Sequence, residues 1–356
     1  MKPAVLAPFA GIPFAGISFA VLAAALPAQV TFHREAGRQL VPADAAIERL
    51  GTGMKFVEGP VWLPTEQALV FSDIPNARLM RWTAKAGCVV WRDSEQSNGN
   101  ALDLQGRLLS AQHRGRNVVR WGKDGKAEVL TAACDGKAYN SPNDLAVRAD
   151  GTIWFTDPTY GLRGREQHAA GNFVYRLDPA SGAVAIVHRG FSMPNGICFA
   201  PDHQRLYIAD SGSKQRVGAF PIRPDGSLGK AAFWLEGGAD GMRCDRLGNL
   251  YTTARDGVRI YSPKGERLAT IALPEKPSNC AFGGADGRQL FVTARTSLYR
   301  VTLRVRGAGP AVGTGGSKAH NDARPSTGGG GSAGRTVRPT SEETAKTARP
   351  PAKQRK

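Results

Sequence analysis

The sequence has few cysteines and lacks the spacing that cysteine-based sites require. Five of its 356 residues are Cys, and no two of them form a C-x-x-C pair. This distribution argues against a zinc site and a disulfide-dense scaffold. Residues 51–306 also contain no G-x-S-x-G elbow, so nothing in that region supports a serine-hydrolase route.

Charge is missing from the N-terminal end. No charged residue lies between Lys2 and His33, and the stretch is mostly Ala, Leu, Val, Phe and Ile, with small residues just before Gln29. This pattern is typical of a secretory signal peptide, which we assign to residues 1–28. A membrane anchor is the alternative, but Pro and Gly interrupt the apolar run and a basic anchoring cluster is missing. We therefore expect cleavage, a periplasmic or secreted location, and no transmembrane anchor in the mature protein.

Bulky apolar residues are scarce at the C-terminal end. From Gly307 onward the only ones are Val312 and Val337, in a background of Gly, Pro, Ser, Thr, Lys and Arg. Such a segment cannot bury enough surface to offset its ordering entropy, so residues 307–356 are predicted to be a disordered tail. Its excess of basic residues would favour contact with anionic surfaces. No aromatic residue is interleaved for base stacking, so specific nucleic-acid binding is not expected.

Between these ends lies a repeat. The chain is 41% hydrophobic and 22% charged, which allows a sizeable core. Short β-rich runs recur six times at intervals close to the period of about 40 to 50 residues that propeller blades show. Residues 51–306 are therefore predicted to form an all-β, six-bladed β-propeller, and residues 29–50 to supply an outer strand that closes the ring. The runs are Leu69–Phe71, Leu108–Ser110, Ile153–Phe155, Leu206–Ile208, Leu250–Thr252 and Leu290–Val292.

A polar residue precedes each run at a nearly constant distance. Equal positions in a radial array lie at equal radius, so these side chains should converge on one end of the central channel. Any one of them alone could be an Asx-turn residue, but six in register favour an axial site. The six are Glu58, Asn98, Asn143, Asn195, Asp240 and Asn279.

The ring predicted in this way offers oxygen ligands. Two carboxylates and four carboxamides, without His or Cys at equivalent positions, suit Ca²⁺ better than zinc or copper. Magnesium fits less well because it demands tighter octahedral geometry. Calcium is therefore the expected metal, with other divalent cations as alternatives.

Several stretches resemble those of the gluconolactonase/regucalcin (senescence marker protein) family of six-bladed propellers. The similarity runs from about Gly53 to Leu303, with one departure at Asn100, where relatives more often carry an aliphatic residue. The resemblance implies a divalent metal, usually calcium, in the channel, and hydrolysis of sugar lactones by most active members. The stretches are Glu58–Trp62, Ser141–Asp144, Phe155–Gly161, Pro194–Gly196 and Ala239–Met242.

The resemblance also implies roles for individual residues. Glu58, Asn195 and Asp240 would be metal ligands, and Asn143 would be either a ligand or a substrate contact. Weaker matches place Asn98 and Asn279 along the pore, as substrate contacts.

The expected reaction is hydrolysis of a lactone, a small-molecule carboxylic ester. A bound cation would polarise the carbonyl, and Asp240 is the candidate for orienting or deprotonating the attacking water. His113 could reach the channel mouth as a proton carrier that contacts substrate, or it could be a structural histidine. Phosphotriester hydrolysis in the same site and a non-catalytic, calcium-stabilised binding propeller are the alternatives.

Loops near the third strand run suggest further contacts. Asp157 and Tyr160 could roof the cavity, although Asp157 could equally cap a turn. Arg114, Arg116 and Arg163 are candidates for meeting a carboxylate-bearing substrate, or ordinary exposed arginines.

Overall fold

The computed structural model describes residues 25–309, which fold almost entirely into β-strands. Six antiparallel sheets, here called blades 1 to 6 in chain order, make up the fold. The innermost strand of each blade contacts that of the next, and the last contacts the first, so the ring is closed. The predicted all-β six-bladed propeller is confirmed.

The elements follow one another in a regular order. The segment before the blades contains β1 (Ala25–Pro27), β2 (Val30–Phe32), the short helix α1 (Glu35–Arg38) and β3 (Ala46–Gly51). Blade 1 contains β4 (Val57–Leu63), β5 (Ala68–Asp73), β6 (Arg78–Thr83) and β7 (Gly87–Asp93), with 3-10 turns at Pro64–Glu66 and Ile74–Asn76. Blade 2 contains β8 (Ser97–Leu102), β9 (Leu108–Gln112), β10 (Asn117–Trp121) and β11 (Ala127–Thr131), followed by the small hairpin β12 (Ala133–Cys134) and β13 (Lys137–Ala138).

The remaining blades repeat this order from the axis outward. Blade 3 contains β14 (Leu145–Val147), β15 (Ile153–Asp157), β16 (Phe173–Leu177) and β17 (Val184–His188). Blade 4 contains β18 (Pro194–Phe199), β19 (Arg205–Asp210), β20 (Arg216–Pro221) and β21 (Phe233–Glu236). Blade 5 contains β22 (Met242–Cys244), β23 (Leu250–Ala254), β24 (Gly257–Tyr261) and β25 (Arg267–Ile271), and blade 6 contains β26 (Pro277–Gly283), β27 (Gln289–Ala294) and β28 (Ser297–Thr302). Each β-rich run in the sequence is the second strand of its blade.

The N-terminal segment covers the outer edges of the last two blades. Strand β3 pairs antiparallel with β28, so blade 6 takes its outer strand from the start of the chain. Strand β1 pairs with the free edge of β3, and β2 pairs with the outer strand β25 of blade 5. Both edges are thereby protected from pairing with another chain.

Some expectations fall outside the described residues. The predicted signal peptide lies there except for its last residues, which include β1, and so does the predicted tail from residue 310 onward. Among residues 25–309 no helix has the length and apolar content needed to cross a membrane.

Large aromatic side chains fill the space between blades. Trp62 and Trp82 of blade 1 pack against Phe291 of blade 6, with ring centroids 5.4 and 5.2 Å apart, at the junction where the ring closes. Trp154 of blade 3 meets Phe199 of blade 4 edge to face at 5.7 Å. Such contacts between rings add about 0.5–1.5 kcal/mol each to the gain from burial.

The cysteines belong to this core. All five are buried and unbridged. Burial raises the pKa of Cys88 and of Cys280 to about 12, so both thiols are neutral at physiological pH. They act as small apolar residues, as their place in apolar stretches indicates.

Asn100, which departs from the family pattern, links blades 1 and 2 through a buried network. Its side-chain amide donates to the Gly59 carbonyl at 2.7 Å and to the Ser72 hydroxyl at 2.9 Å. Its carbonyl oxygen accepts from the Ser110 hydroxyl at 2.5 Å. The carboxamide is therefore satisfied on both sides, which makes its burial tolerable.

Replacing Asn100 by Leu keeps the size of the side chain and removes this network. The Gly59 carbonyl and two hydroxyls lose a partner, so we expect the free energy of unfolding to fall by about 1–3 kcal/mol. Urea denaturation measures it, with Lys85→Gln on an exposed turn as control. An N100L protein as stable as the wild type would show that the network contributes nothing.

Candidate functional site

The six polar residues singled out by their spacing lie at or just before the start of the innermost strands. In blades 1, 2, 4 and 6 the pairing of the first two strands shifts at this point, which marks a β-bulge. In blades 3 and 5 the innermost strand begins only after the polar residue. A bulge turns a side chain away from the regular alternation of the strand and re-aims it, here toward the axis.

Hydroxyl groups tie these positions to the neighbouring blades. Ser72 of blade 1 donates to the Asn98 carbonyl of blade 2 at 2.8 Å, and Thr156 of blade 3 donates to the Asn195 carbonyl of blade 4 at 2.7 Å. Ser278 of blade 6 donates across the ring closure to Val57 at 2.6 Å. The backbone of each polar residue reached in this way is fixed by the blade before it.

Neighbouring innermost strands touch at the residue that follows the polar one. In four blades this residue is Gly. A Cβ atom at Gly59 would lie 2.0 Å from the Asn98 carbonyl oxygen, and one at Gly196 would lie 2.2 Å from that of Asp240. No larger residue fits unless the blades move apart.

The exception in blade 3 adds a carboxylate that the spacing argument missed. Asp144 occupies the position that is Gly in four blades and is 1% exposed. Its Oδ1 accepts from the Leu145 N–H at 2.9 Å, and its Oδ2 lies 3.8 Å from Arg243 Nη1. The break in the glycine pattern is the signal that could have identified it.

Five of the six polar residues line one cavity of about 460 Å³ at this end of the channel. These five residues, which are buried or partly buried, form the floor of the cavity. Aromatic and basic residues from the loops form its wall and rim. The floor residues are Glu58, Asn98, Asn143, Asn195 and Asp240. Sequence reasoning missed much of the wall and rim, including Phe56, Gln215, Arg255 and Lys276.

Asn279 lies behind this floor rather than on it. Its amide donates to Glu58 Oε2 at 3.0 Å and lies 3.5 Å from Asp144 Oδ2. It was expected to contact substrate. The structure instead places it where it orients Glu58, whose Oε2 also accepts from the Gly59 N–H at 2.9 Å.

Hydrogen bonds also orient the other carboxylate of the floor. The Asn195 amide donates to Asp240 Oδ1 at 2.8 Å and to the Ser211 hydroxyl at 3.2 Å. With both amide contacts used inside the protein, the Asn195 carbonyl oxygen remains as an acceptor for a ligand.

The carboxylates of the floor have too little positive charge around them to balance their own. Burial, with the charges of Asp240 and Asp144, raises the pKa of Glu58 well above its ordinary value. Burial also raises the pKa of Asp144, and that of Asp240 to about 6, although Arg243 opposes the first shift and Lys276 the second. Buried carboxylates in this state gain from a cation placed between them.

The donor set fits a hard divalent cation. Carboxylate oxygens of Glu58 and Asp240 and carbonyl oxygens of Asn143 and Asn195 are ligands that Ca²⁺ accepts. Within residues 25–309 no three His, Cys, Asp or Glu side chains are grouped to hold a metal, so a cation here requires the carboxamides.

His113 also lines the cavity, as a neutral imidazole. Its Nε2 lies 3.1 Å from Asn98 Nδ2 and accepts from it, which leaves the proton on Nδ1 in the tautomer that the hydrogen bond assigns. Burial, helped by the charges of Arg163 and Arg165, lowers its pKa to about 4. Gly161 packs on the ring, since a Cβ there would lie 2.5 Å from it.

The remaining candidates separate into two groups. Tyr160 and Arg163 line the cavity. Asp157 is buried and accepts the N–H groups of Asn140 and Ser141, so it shapes the turn that leads to Asn143. Two arginines are engaged elsewhere: Arg114 pairs with Glu95 at 2.6 Å, and Arg116 donates to the carbonyls of Tyr139 and Glu166.

The chain is similar to known proteins over most of its length. Residues 56–296 match the family described as the SMP-30/Gluconolactonase/LRE-like region. A gluconolactonase of Zymomonas mobilis is 30% identical over 306 residues, which cover 75% of this chain and 84% of the relative. The solved structure of a gluconolactonase from Xanthomonas campestris is 34% identical, with a TM-score of 0.74 over 79% of this chain and 97% of that one. A calcium-binding regucalcin from Agrobacterium tumefaciens, 23% identical with a TM-score of 0.63 over 73% of this chain and 94% of its own, shows the fold alone.

The buried His113 should make stability depend on pH. Its pKa lies near 4 in the folded chain, below the ordinary value of 6.5, so its contribution is present above pH 6.5 and is lost as the pH falls toward 4. The gap in unfolding free energy between wild type and His113→Gln should therefore narrow between pH 7 and 5, by up to about 2 kcal/mol. Urea denaturation at both pH values tests this. The unfolding free energy of the exposed-site variant His168→Gln should change with pH as that of the wild type does. A difference in unfolding free energy between wild type and His113→Gln that does not change with pH would contradict the lowered pKa of His113.

Proposed function

Since the chain belongs to the SMP-30/Gluconolactonase/LRE-like family, we propose that it hydrolyses a sugar lactone in the cavity above Glu58 and Asp240. The observation that carries the proposal is the floor itself, where two carboxylates and three carboxamides converge in a cavity of about 460 Å³. This volume is in the range of small-ligand sites, about 300–1,000 Å³. The lactonase-like enzyme class expected from the sequence agrees with the names of the relatives.

We propose further that the floor holds Ca²⁺ through Glu58, Asn143, Asn195 and Asp240, with other divalent cations as alternatives. The support is the chemistry of the donor set and the raised pKa values of both carboxylates. When bound, the cation supplies Lewis-acid polarisation of the lactone carbonyl.

In the proposed reaction, water attacks the carbonyl carbon and the ring C–O bond breaks. Asp240 takes the proton from the water and returns it to the departing ring oxygen. The Asn195 amide donates to Oδ1 of Asp240 and orients the carboxylate for this exchange.

The surrounding side chains would bind the sugar. Asn98, whose amide is held by His113, and Asn143 offer carboxamides to its hydroxyl groups. Phe56 and Tyr160, 36% and 40% exposed, present aromatic surface to the apolar face of the ring.

Activity assays with a chelator separate lactone hydrolysis from the other candidate functions. We expect turnover of aldonolactones, loss of turnover in EDTA, and recovery on adding Ca²⁺. Asp240→Asn should lower kcat by about 10²–10⁴-fold, the usual contribution of a general base, while Lys85→Gln should not. Turnover of aryl phosphotriesters alone would favour a phosphotriesterase, and turnover of neither class would favour a binding propeller.

We propose, finally, that the chain is exported and cleaved near Ala28. The N-terminal 32 residues carry no charge except Lys2. Cleavage there would remove β1, which pairs only along the outer edge of β3, and would leave the pairing of β3 with β28 intact. N-terminal sequencing of the protein purified from its own cells should start at or near Gln29. A sequence that begins at Met1 would contradict export.

A further inference from the structure

The rim of the cavity carries three cations that form no ion pair with the described part of the chain. Arg163, Arg255 and Lys276 are exposed and line the cavity. Within residues 25–309, none of the three has an acidic side chain within ion-pair distance. By contrast, Arg114, on the adjacent turn of blade 2, pairs with Glu95.

These cations reach the rim from three different connections between strands. Arg163 lies in the loop between β15 and β16, Arg255 in the turn between β23 and β24, and Lys276 in the connection from β25 to β26. Each of these connections is on the end of the propeller where the innermost strands begin. Positive charge therefore reaches the opening from more than one loop.

The loop that carries Arg163 is held in place. Arg165 donates to the His113 and Arg114 carbonyls at 2.7 and 2.8 Å, which fixes the loop to blade 2. Arg163 itself has φ near +47°, in the left-handed region that favours Gly. A rigid loop offers its side chain to a ligand at a smaller entropic cost.

The charges of the rim residues affect titratable groups inside the cavity. The charge of Lys276 lowers the pKa of Asp240, although burial raises this pKa by more. The charge of Arg163 lowers the pKa of His113 and adds to the larger lowering caused by burial. A cleft with low-dielectric walls focuses such a field on whatever enters it.

The floor and the rim therefore carry charges of opposite sign. The carboxylates of the floor attract a cation, and the cations of the rim attract an anion. We propose that the site selects lactones that carry an anionic group away from the lactone carbonyl, a carboxylate, phosphate or sulfonate that Arg163, Arg255 and Lys276 bind. This inference rests on the proposed lactone hydrolysis and names its substrate class. Guanidinium groups recognise all three anions through paired hydrogen bonds.

The test compares three lactones at low ionic strength: glucono-1,5-lactone, its 6-phosphate and a monolactone of glucaric acid. We expect kcat/KM to be at least tenfold higher for one or both anionic lactones, mainly through KM. The advantage should shrink in 0.5 M NaCl because exposed charges are screened. The two anionic lactones distinguish a phosphate from a carboxylate as the preferred group.

Variants assign the preference to the rim. In Arg163→Gln/Arg255→Gln the ratio of kcat/KM for anionic over neutral lactone should fall by at least fivefold, and Lys276→Gln should lower it further. Neutral-lactone turnover is the internal reference, since damage to the floor lowers both rates. The control Lys85→Gln/Lys123→Gln/Lys230→Gln removes three charges from turns on the opposite end of the propeller and should leave the ratio unchanged. Equal rates on all three lactones, or a ratio unchanged by the rim variants, would overturn the inference.

Binding of ring-opened product separates this inference from the proposed function. Calorimetry with 6-phosphogluconate, glucarate and gluconate needs no turnover. If no lactone is hydrolysed but 6-phosphogluconate and glucarate, which carry a second anionic group, bind more tightly than gluconate, and the rim variants remove the difference, the hydrolase proposal fails and the anion site stands. If the acids bind alike, the anion site fails whether or not lactones are hydrolysed.

Discussion

The close approach of the six innermost strands around the axis is the constraint on which the site depends. Adjacent strands come so near that a Cβ atom at Gly59 or Gly196 would collide with the backbone of the next blade. Hydroxyl groups of the second strands hold this contact by donating to carbonyls across the blade boundary. Side chains that leave the backbone at this radius converge on the end of the channel.

Bringing acidic side chains together in this way has an electrostatic cost, and that cost explains the chemistry of the cavity. Three carboxylates share the channel, Glu58 and Asp144 buried and Asp240 partly buried, and burial raises the pKa of each. Arg243 offsets the charge from below and Lys276 from the rim. A cation on the floor would complete the balance.

The sequence predicted those features that repeat with the blades. A regular spacing located the second strands and placed Glu58, Asn98, Asn143, Asn195 and Asp240 around one cavity. It could not distinguish Asn279, because the depth of a side chain below the floor depends on how its neighbours pack. Asp144 was missed for the opposite reason: it lies one position off the repeat, where most blades have Gly. The rim escaped prediction because loops between strands have no period, and among the arginines that were considered only Arg163 faces the cavity.

The central claim is that rotation from blade to blade gathers Glu58, Asn195 and Asp240 around one cation. A crystal grown with Ca²⁺ and measured at a wavelength where calcium scatters anomalously tests it most directly. The account predicts one strong peak above the floor, about 2.3–2.6 Å from oxygens of all three side chains. A peak bound elsewhere, or a floor that stays without one at saturating Ca²⁺, would contradict it.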